Sequence, residues 1–170
     1  MSQQVLSLLD AIQIAIEAEE KATTFYADAV RKTSNPIGQK LFSQLSEFEG
    51  YHVQKLSALK MSLRDGGNFI VYEGRELALP TPAEIRGSGE PSKLSVMAIL
   101  ELAIQLERTA EKQYTSLAAR TAHPDGHAMF ARLATEEHTH YRILDDAYSG
   151  LNDRGEWNWL GRPPRGKSKG

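Results

Sequence analysis

Two short motifs of the same form, Glu49-x-x-His52 and Glu137-x-x-His140, carry the residues with the clearest chemistry in this sequence. Carboxylate and imidazole groups bind divalent metals, and both can also transfer protons. Residues three apart project from the same face of a helix, so each motif could reach one metal ion. A single Glu-x-x-His is a weak signal, because a solvent-exposed glutamate explains one copy equally well.

The two motifs stand 88 residues apart, and the same offset relates other residues of the two halves of the chain. It places Glu19 on Glu107 and Tyr26 on Tyr114. The repeated set of possible metal ligands is Glu19, Glu49, His52, Glu107, Glu137 and His140. With two copies, the repeat indicates the duplication of a helical hairpin rather than a solenoid.

Four stretches with apolar residues at steps of three and four are predicted to form long helices, and the possible ligands lie on their apolar faces. The predicted bounds are about Ser2–Lys32, Pro36–Leu63, Ser92–Arg120 and Pro124–Tyr148. Between the first two helices, Asn35 suits an N-cap and Pro36 suits the first helical position.

The connections between the helices predict their arrangement. A short turn makes the first two helices antiparallel, and Glu19 and Glu49 each stand 15 residues from Ser34. At about 1.5 Å per residue, both glutamates lie roughly 22 Å from that turn. The connection of about 30 residues between the second and third helices can run the length of a bundle. We therefore predict an all-α four-helix bundle of two duplicated hairpins, with a long crossover between helices 2 and 3.

Four carboxylates that converge in a core would each cost several kcal/mol to desolvate, and two divalent cations would neutralise them. The sequence contains no cysteine, which excludes disulfides, thiolate zinc sites and iron–sulfur clusters. Mixed carboxylate and imidazole ligands favour iron or manganese over calcium, with zinc as a possible substitute. The glutamates of the two motifs are predicted to bridge two ions, each motif's histidine to cap one, and Glu19 and Glu107 to be terminal ligands.

Three further residues have less specific signals. Tyr26 and Tyr114 each follow their glutamate by seven residues on the same face. They could hydrogen-bond a bridging carboxylate or supply an electron, or they could simply be core aromatics. Glu111 could be a seventh ligand or a glutamate outside the metal site.

The sequence resembles the rubrerythrin-type diiron proteins of the ferritin-like superfamily from about Leu8 to Tyr148. The resemblance rests on Glu19-x-x-Ala22-x-x-Phe25-Tyr26, Glu49-x-x-His52, Glu107-x-x-Ala110-x-x-x-Tyr114 and Glu137-x-x-His140. It implies a ferritin-like bundle, a carboxylate-bridged diiron centre that reacts with peroxide or dioxygen, and a homodimer.

The sequence departs from these relatives at three points. Full-length rubrerythrins add a rubredoxin-like domain that binds metal through cysteines; with no cysteine here, electrons are expected from an external donor. Rubrerythrins also tend to carry a glutamate where Ala110 stands. Bacterioferritins bind haem through a methionine that follows the second-helix glutamate; Gly50 stands there, so no haem is expected.

The function predicted from these residues is a diiron oxidoreductase, a rubrerythrin-like peroxidase or ferroxidase that reduces peroxide or dioxygen as Fe(II) is oxidised. The alternative is an iron-binding protein that sequesters the metal without turnover.

Charge and composition set the remaining expectations. The net charge of −2 and the pI near 6.2 give no reason to expect a nucleic-acid partner. The N-terminus matches neither a signal peptide nor a membrane span, so a cytoplasmic location is expected. Residues 1–150 are predicted to form the bundle, and 151–170 a largely irregular extension with a disordered basic end. Trp157 and Trp159 are expected to pack on the bundle or on a neighbouring subunit.

Overall fold

The structure, a computed structural model, describes residues 5–81, 84 and 89–159. These residues contain four long helices: α1 (Leu8–Lys32), α2 (Pro36–Arg64), α3 (Lys93–Arg120) and α4 (Pro124–Arg154). They include no β-strand, only an isolated antiparallel bridge between Gly89 and Glu156. The predicted all-α four-helix bundle is confirmed.

Contacts between helices show the direction of each one. Tyr26 of α1 bonds Glu107 of α3, whereas Glu19, seven residues earlier in α1, bonds Tyr114, seven residues later in α3. Helices α1 and α3 are therefore antiparallel. Because the α1–α2 hairpin is antiparallel as well, α2 and α3 run in the same direction. Only a connection as long as the bundle can join two such helices, which is the crossover predicted from the sequence.

The first helix begins later than predicted. Val5–Ser7 are not helical, and Ser2 lies outside the described residues. Ser7 is the N-cap, since its hydroxyl accepts a hydrogen bond from the Asp10 amide at 3.1 Å. The apolar pattern extends through Val5, but a side chain that satisfies a free helical amide decides where the helix begins.

The ends of the other helices show one confirmed prediction and one error. Asn35 caps α2 by accepting from the Ile37 amide at 2.8 Å, with Pro36 directly after it, as predicted. Helix α4 does not end near Tyr148 but continues to Arg154, where Gly155 adopts the left-handed conformation (φ 67°). Glycine adopts this conformation without steric cost and commonly ends helices.

The core consists of two apolar clusters on either side of the layer that holds the motif residues. Trp157 and Trp159 are buried in one of these clusters, so they pack on the bundle of their own chain. Gly38 makes room for Trp157, because a Cβ atom there would lie 2.5 Å from Cζ2 of that tryptophan. The basic segment Arg162–Lys169 lies outside the described residues. Among the helices that the structure describes, none has the length and hydropathy to cross a membrane.

Candidate metal centre

The six possible ligands meet in the layer between the two apolar clusters. They form two overlapping groups in which the ligand atoms lie within 4.8 Å of one another. The first group is Glu19, Glu49, His52 and Glu137, and the second is Glu49, Glu107, Glu137 and His140. Glu49 and Glu137 belong to both groups, as expected of carboxylates that bridge two cations.

Burial of these residues follows from their positions on the apolar faces of the helices. All six have at most 3% of their surface exposed. Each hairpin supplies one glutamate from its first helix and one Glu-x-x-His from its second. Since charged side chains are almost never fully buried unless paired, this layer is unlike an ordinary core.

Both motif histidines direct Nδ1 toward the carboxylates. Nδ1 of His52 lies 3.0 Å from an oxygen of Glu19, 3.0 Å from Glu49 and 3.3 Å from Glu137. Nδ1 of His140 lies 3.1 Å from Glu49 and 3.4 Å from Glu137. Nδ1 is therefore the atom with which each imidazole could bind a cation in this layer.

Burial and the neighbouring charges shift the pKa of each carboxyl group in the layer. Burial and the charges of Glu19 and Glu107 raise the pKa of Glu49 to about 8. Burial and Glu137 likewise raise the pKa of Glu107 well above its usual range. Burial also disfavours the charged form of Glu19, but the charge and hydrogen bond of His52 outweigh it and lower the pKa to about 2. The cluster thus holds protons that a bound cation would replace.

The pKa values of the motif histidines are also raised, but for an imidazole a raised pKa favours the charged form. Burial disfavours the imidazolium form, yet the surrounding carboxylates raise the pKa of His52 and His140 well above the usual value. Positive charge is therefore favoured at the centre of this layer.

Two buried oxygens lack a hydrogen-bond partner among the described residues: Oε2 of Glu107 and Oε1 of Glu137. Nδ1 of His52 lies 3.3 Å from Oε1 of Glu137, but the two atoms are not oriented for a hydrogen bond. Leaving a buried acceptor unpaired costs about 1–3 kcal/mol, and more when it is charged. Unpaired carboxylate oxygens beside imidazole nitrogens fit a cation site, and this donor set suits iron or manganese.

Two tyrosines join the hairpins crosswise. The Tyr26 hydroxyl donates to Oε1 of Glu107 at 2.5 Å, and the Tyr114 hydroxyl donates to Oε1 of Glu19. Each therefore bonds a glutamate that belongs to one group only, and not a shared one. Both hydroxyls are buried and face carboxylates, which raises their pKa well above the usual value.

Sequence reasoning missed Glu136, which holds the far side of His52. Its Oε2 lies 3.0 Å from Nε2 of His52 and accepts from the Tyr72 hydroxyl at 2.6 Å. Its Oε1 accepts from the Arg75 amide at 3.0 Å. The 88-residue repeat could not reveal it, because Phe48 occupies the equivalent position.

Glu111, the possible seventh ligand, lies away from the centre, as do two other histidines. Glu111 pairs with His138 at the surface, 3.1 Å apart. His123 caps α4 by accepting from the Gly126 amide at 3.3 Å. In the described structure, none of these three residues belongs to either group of possible ligands.

Comparisons with known proteins agree with this geometry. The sequence profile of the Rubrerythrin family matches residues 98–160, which include Glu107, Glu137 and His140. A solved structure titled as a hypothetical protein, Pfu-1136390-001 from Pyrococcus furiosus, has a similar fold (TM-score 0.65) at 21% identity. The match covers 86% of this chain and 91% of that one. No curated protein sequence matches the chain. The resemblance to rubrerythrin-type proteins noted in the sequence is thereby confirmed.

Proposed function

We propose that this rubrerythrin-like protein holds two iron ions and reduces peroxide or dioxygen as Fe(II) is oxidised. The observation that carries the proposal is the sharing of Glu49 and Glu137 by both groups of possible ligands. Because Glu49 and Glu137 could bind both cations, they would hold two iron ions close together. Each Fe(II) ion can give one electron, so the pair could give the two electrons that reduce a peroxide.

The proposed ligands divide between the two ions by their geometry. Glu19 and His52 would bind one ion, Glu107 and His140 the other, and the two shared glutamates both, an assignment supported by the two groups of ligand atoms. Manganese or zinc could occupy the same oxygen and nitrogen ligands.

The surrounding residues support the proposed ligands. The bound iron pair would supply the electrons. Tyr26 and Tyr114 hold the two unshared glutamates in place through their hydroxyl groups. Oε2 of Glu107 is buried and has no hydrogen-bond partner among the described residues, so a cation bound there would satisfy it. We assign no haem to the protein.

We also propose an external electron donor, a homodimer and a cytoplasmic location. The donor follows from the lack of cysteine in this sequence, which leaves no thiolate cluster to supply electrons. Reduction of the oxidised protein by a purified rubredoxin tests the external donor. Light scattering tests the homodimer, and cell fractionation tests the cytoplasmic location.

The test of function is anaerobic loading with Fe(II) followed by hydrogen peroxide. We expect two iron ions per chain, rapid oxidation and a ferric charge-transfer absorption band. With excess reductant, a peroxidase consumes peroxide repeatedly, whereas a binding protein oxidises its iron once. No spectral change at two irons per chain would contradict the oxidoreductase and would favour iron binding without turnover.

A matched pair of histidine variants makes this test specific. The double variant His52→Ala, His140→Ala should lose most of its iron and the absorption band. His138→Ala removes an imidazole whose side chain is 48% exposed on the same helix as His140, and it should keep both. Equal iron content in the two variants would refute the ligand assignment.

A further inference from the structure

A groove between α1 and α3 leads from the surface of the bundle to the candidate metal centre. Its volume is about 540 Å³. The apolar side chains along it are Ala18, Ala22, Phe25, Leu102, Leu106 and Ala110. Leu102 is 57% exposed, so part of this apolar lining faces solvent.

The inner end of the groove is formed by carboxylates of the metal centre. Glu19, Glu107 and Glu137 line it, together with Tyr114. Two of these glutamates carry the unpaired oxygens described above. A molecule in the groove would therefore place one end against the centre.

The groove is larger and more apolar than a small oxidant requires. Hydrogen peroxide and dioxygen need little more room than a water molecule, which takes about 30 Å³ in the liquid. Pockets for organic ligands have about 300–1,000 Å³ and mostly apolar walls. An alkyl chain is the group that gains most by leaving water for such walls.

A charged side chain marks the outer part of the groove. Lys21 is exposed and lines the groove, and it is the cationic residue among its described lining. A carboxylate on the outer end of an alkyl chain could pair with it, while the other end of the chain reaches the glutamates. The groove thus combines an exposed cationic side chain, an apolar lining and the carboxylates of the candidate centre.

We infer that the groove binds an organic hydroperoxide of the fatty-acid type. This inference rests on the proposed function and specifies which class of peroxide is its oxidant. The O–O bond breaks as the hydroperoxide takes up two electrons and two protons, and an alcohol and water leave. Two ferrous ions held by the six proposed ligands would supply the two electrons and become ferric, and the proposed external donor would reduce them again.

The first experiment measures binding without chemistry. Octanoate, decanoate and dodecanoate, which have no O–O bond, are titrated calorimetrically into the full, iron-loaded chain below their micelle concentrations. Each added methylene should strengthen binding about threefold to fourfold until the groove is filled. The absence of saturable binding, or an affinity independent of chain length, would overturn the inference.

Variants of one helix test the location. Ala110→Leu fills the groove and should weaken dodecanoate binding about tenfold or more, because several methylenes lose their place. Ala119→Leu makes the same change on an exposed part of α3 outside the groove and should leave binding within about twofold. Equal affinities in the two variants would overturn the location.

A charge variant tests the polarity of the ligand. Lys21→Met should weaken dodecanoate binding several-fold and leave dodecanol binding unchanged. An unchanged affinity for dodecanoate would overturn the pairing with Lys21. A groove covered by a second copy would show as a dimer that Ala110→Leu dissociates, and the inference would then be wrong.

The two proposals fail separately. Normal oxidation by hydrogen peroxide without fatty-acid binding would overturn only the groove inference. Fatty-acid binding by a chain whose iron does not react with any peroxide would overturn the proposed function. For the wild-type chain, kcat/KM for a fatty-acid hydroperoxide should exceed that for hydrogen peroxide, and the reverse order would count against the inference.

Discussion

The two hairpins contribute equivalent ligands to the metal centre but surround their histidines differently. At the position four residues before the motif histidine, the first hairpin has Phe48 and the second has Glu136. Each contacts the histidine of the opposite hairpin. Glu136 bonds Nε2 of His52, whereas the Phe48 ring lies 4.5 Å from the ring of His140, edge to face. One imidazole is held by a carboxylate and the other by an aromatic ring.

The crossover segment increases this difference. Tyr72 and Arg75 bond Glu136 and thereby cover His52. The other histidine, His140, borders a cavity of about 380 Å³. A carboxylate that accepts the second N–H of a metal-bound imidazole fixes the ring and raises its basicity. The two sets of ligands are thus alike, as a duplication predicts. The two histidine sites differ because Glu136 replaces Phe48 in the second hairpin and because the crossover bonds Glu136 beside His52.

Removing a shared ligand should have the largest effect on the centre. Glu49→Gln and Glu137→Gln each alter both groups and should leave less than one metal ion per chain. Glu19→Gln and Glu107→Gln each alter one group and should leave about one. Elemental analysis after anaerobic loading measures this. Similar metal content in all four variants would show that no glutamate is shared.

The second prediction concerns the unequal histidines. Glu136→Leu should weaken metal binding at the His52 position about 10- to 100-fold, the usual cost of losing such a partner. Calorimetric titration with Mn(II) should then show one weakened site and one unchanged site. Phe48→Leu removes only an aromatic contact and should change either affinity by less than about threefold. If the two variants weaken binding equally, the positions are equivalent after all.

The smallest predicted effect concerns a feature that the two hairpins share, the hydrogen bond from a tyrosine to a glutamate of the opposite hairpin. Tyr26→Phe and Tyr114→Phe each remove one hydrogen bond to a buried carboxylate, from opposite hairpins. Each should lower the free energy of unfolding of the metal-free protein by about 1–3 kcal/mol, and by similar amounts. Urea unfolding monitored by circular dichroism gives both values. A large difference would mean that the asymmetry extends beyond the histidines.

Much of the arrangement followed from helical periodicity. Steps of three and four residues put Glu19 and the two motifs on apolar faces, and equal distances from the turn put them at one depth. The repeat supplied the second set of residues. Sequence reasoning misplaced the beginning of α1 and the end of α4, because hydrogen bonds at a single serine or glycine outweigh the apolar pattern there.

The sequence by itself therefore determined which residues face the centre, since periodicity and duplication act within one helix or one hairpin. The tertiary structure decided which atoms meet. Tyr26 contacts Glu107 of the other hairpin. Glu136 contacts His52 of the other hairpin rather than His140, which lies on the same helix. Helical spacing gives the direction of a side chain around its own axis but no distance to another helix. That distance depends on how the hairpins pack and on where the crossover lies.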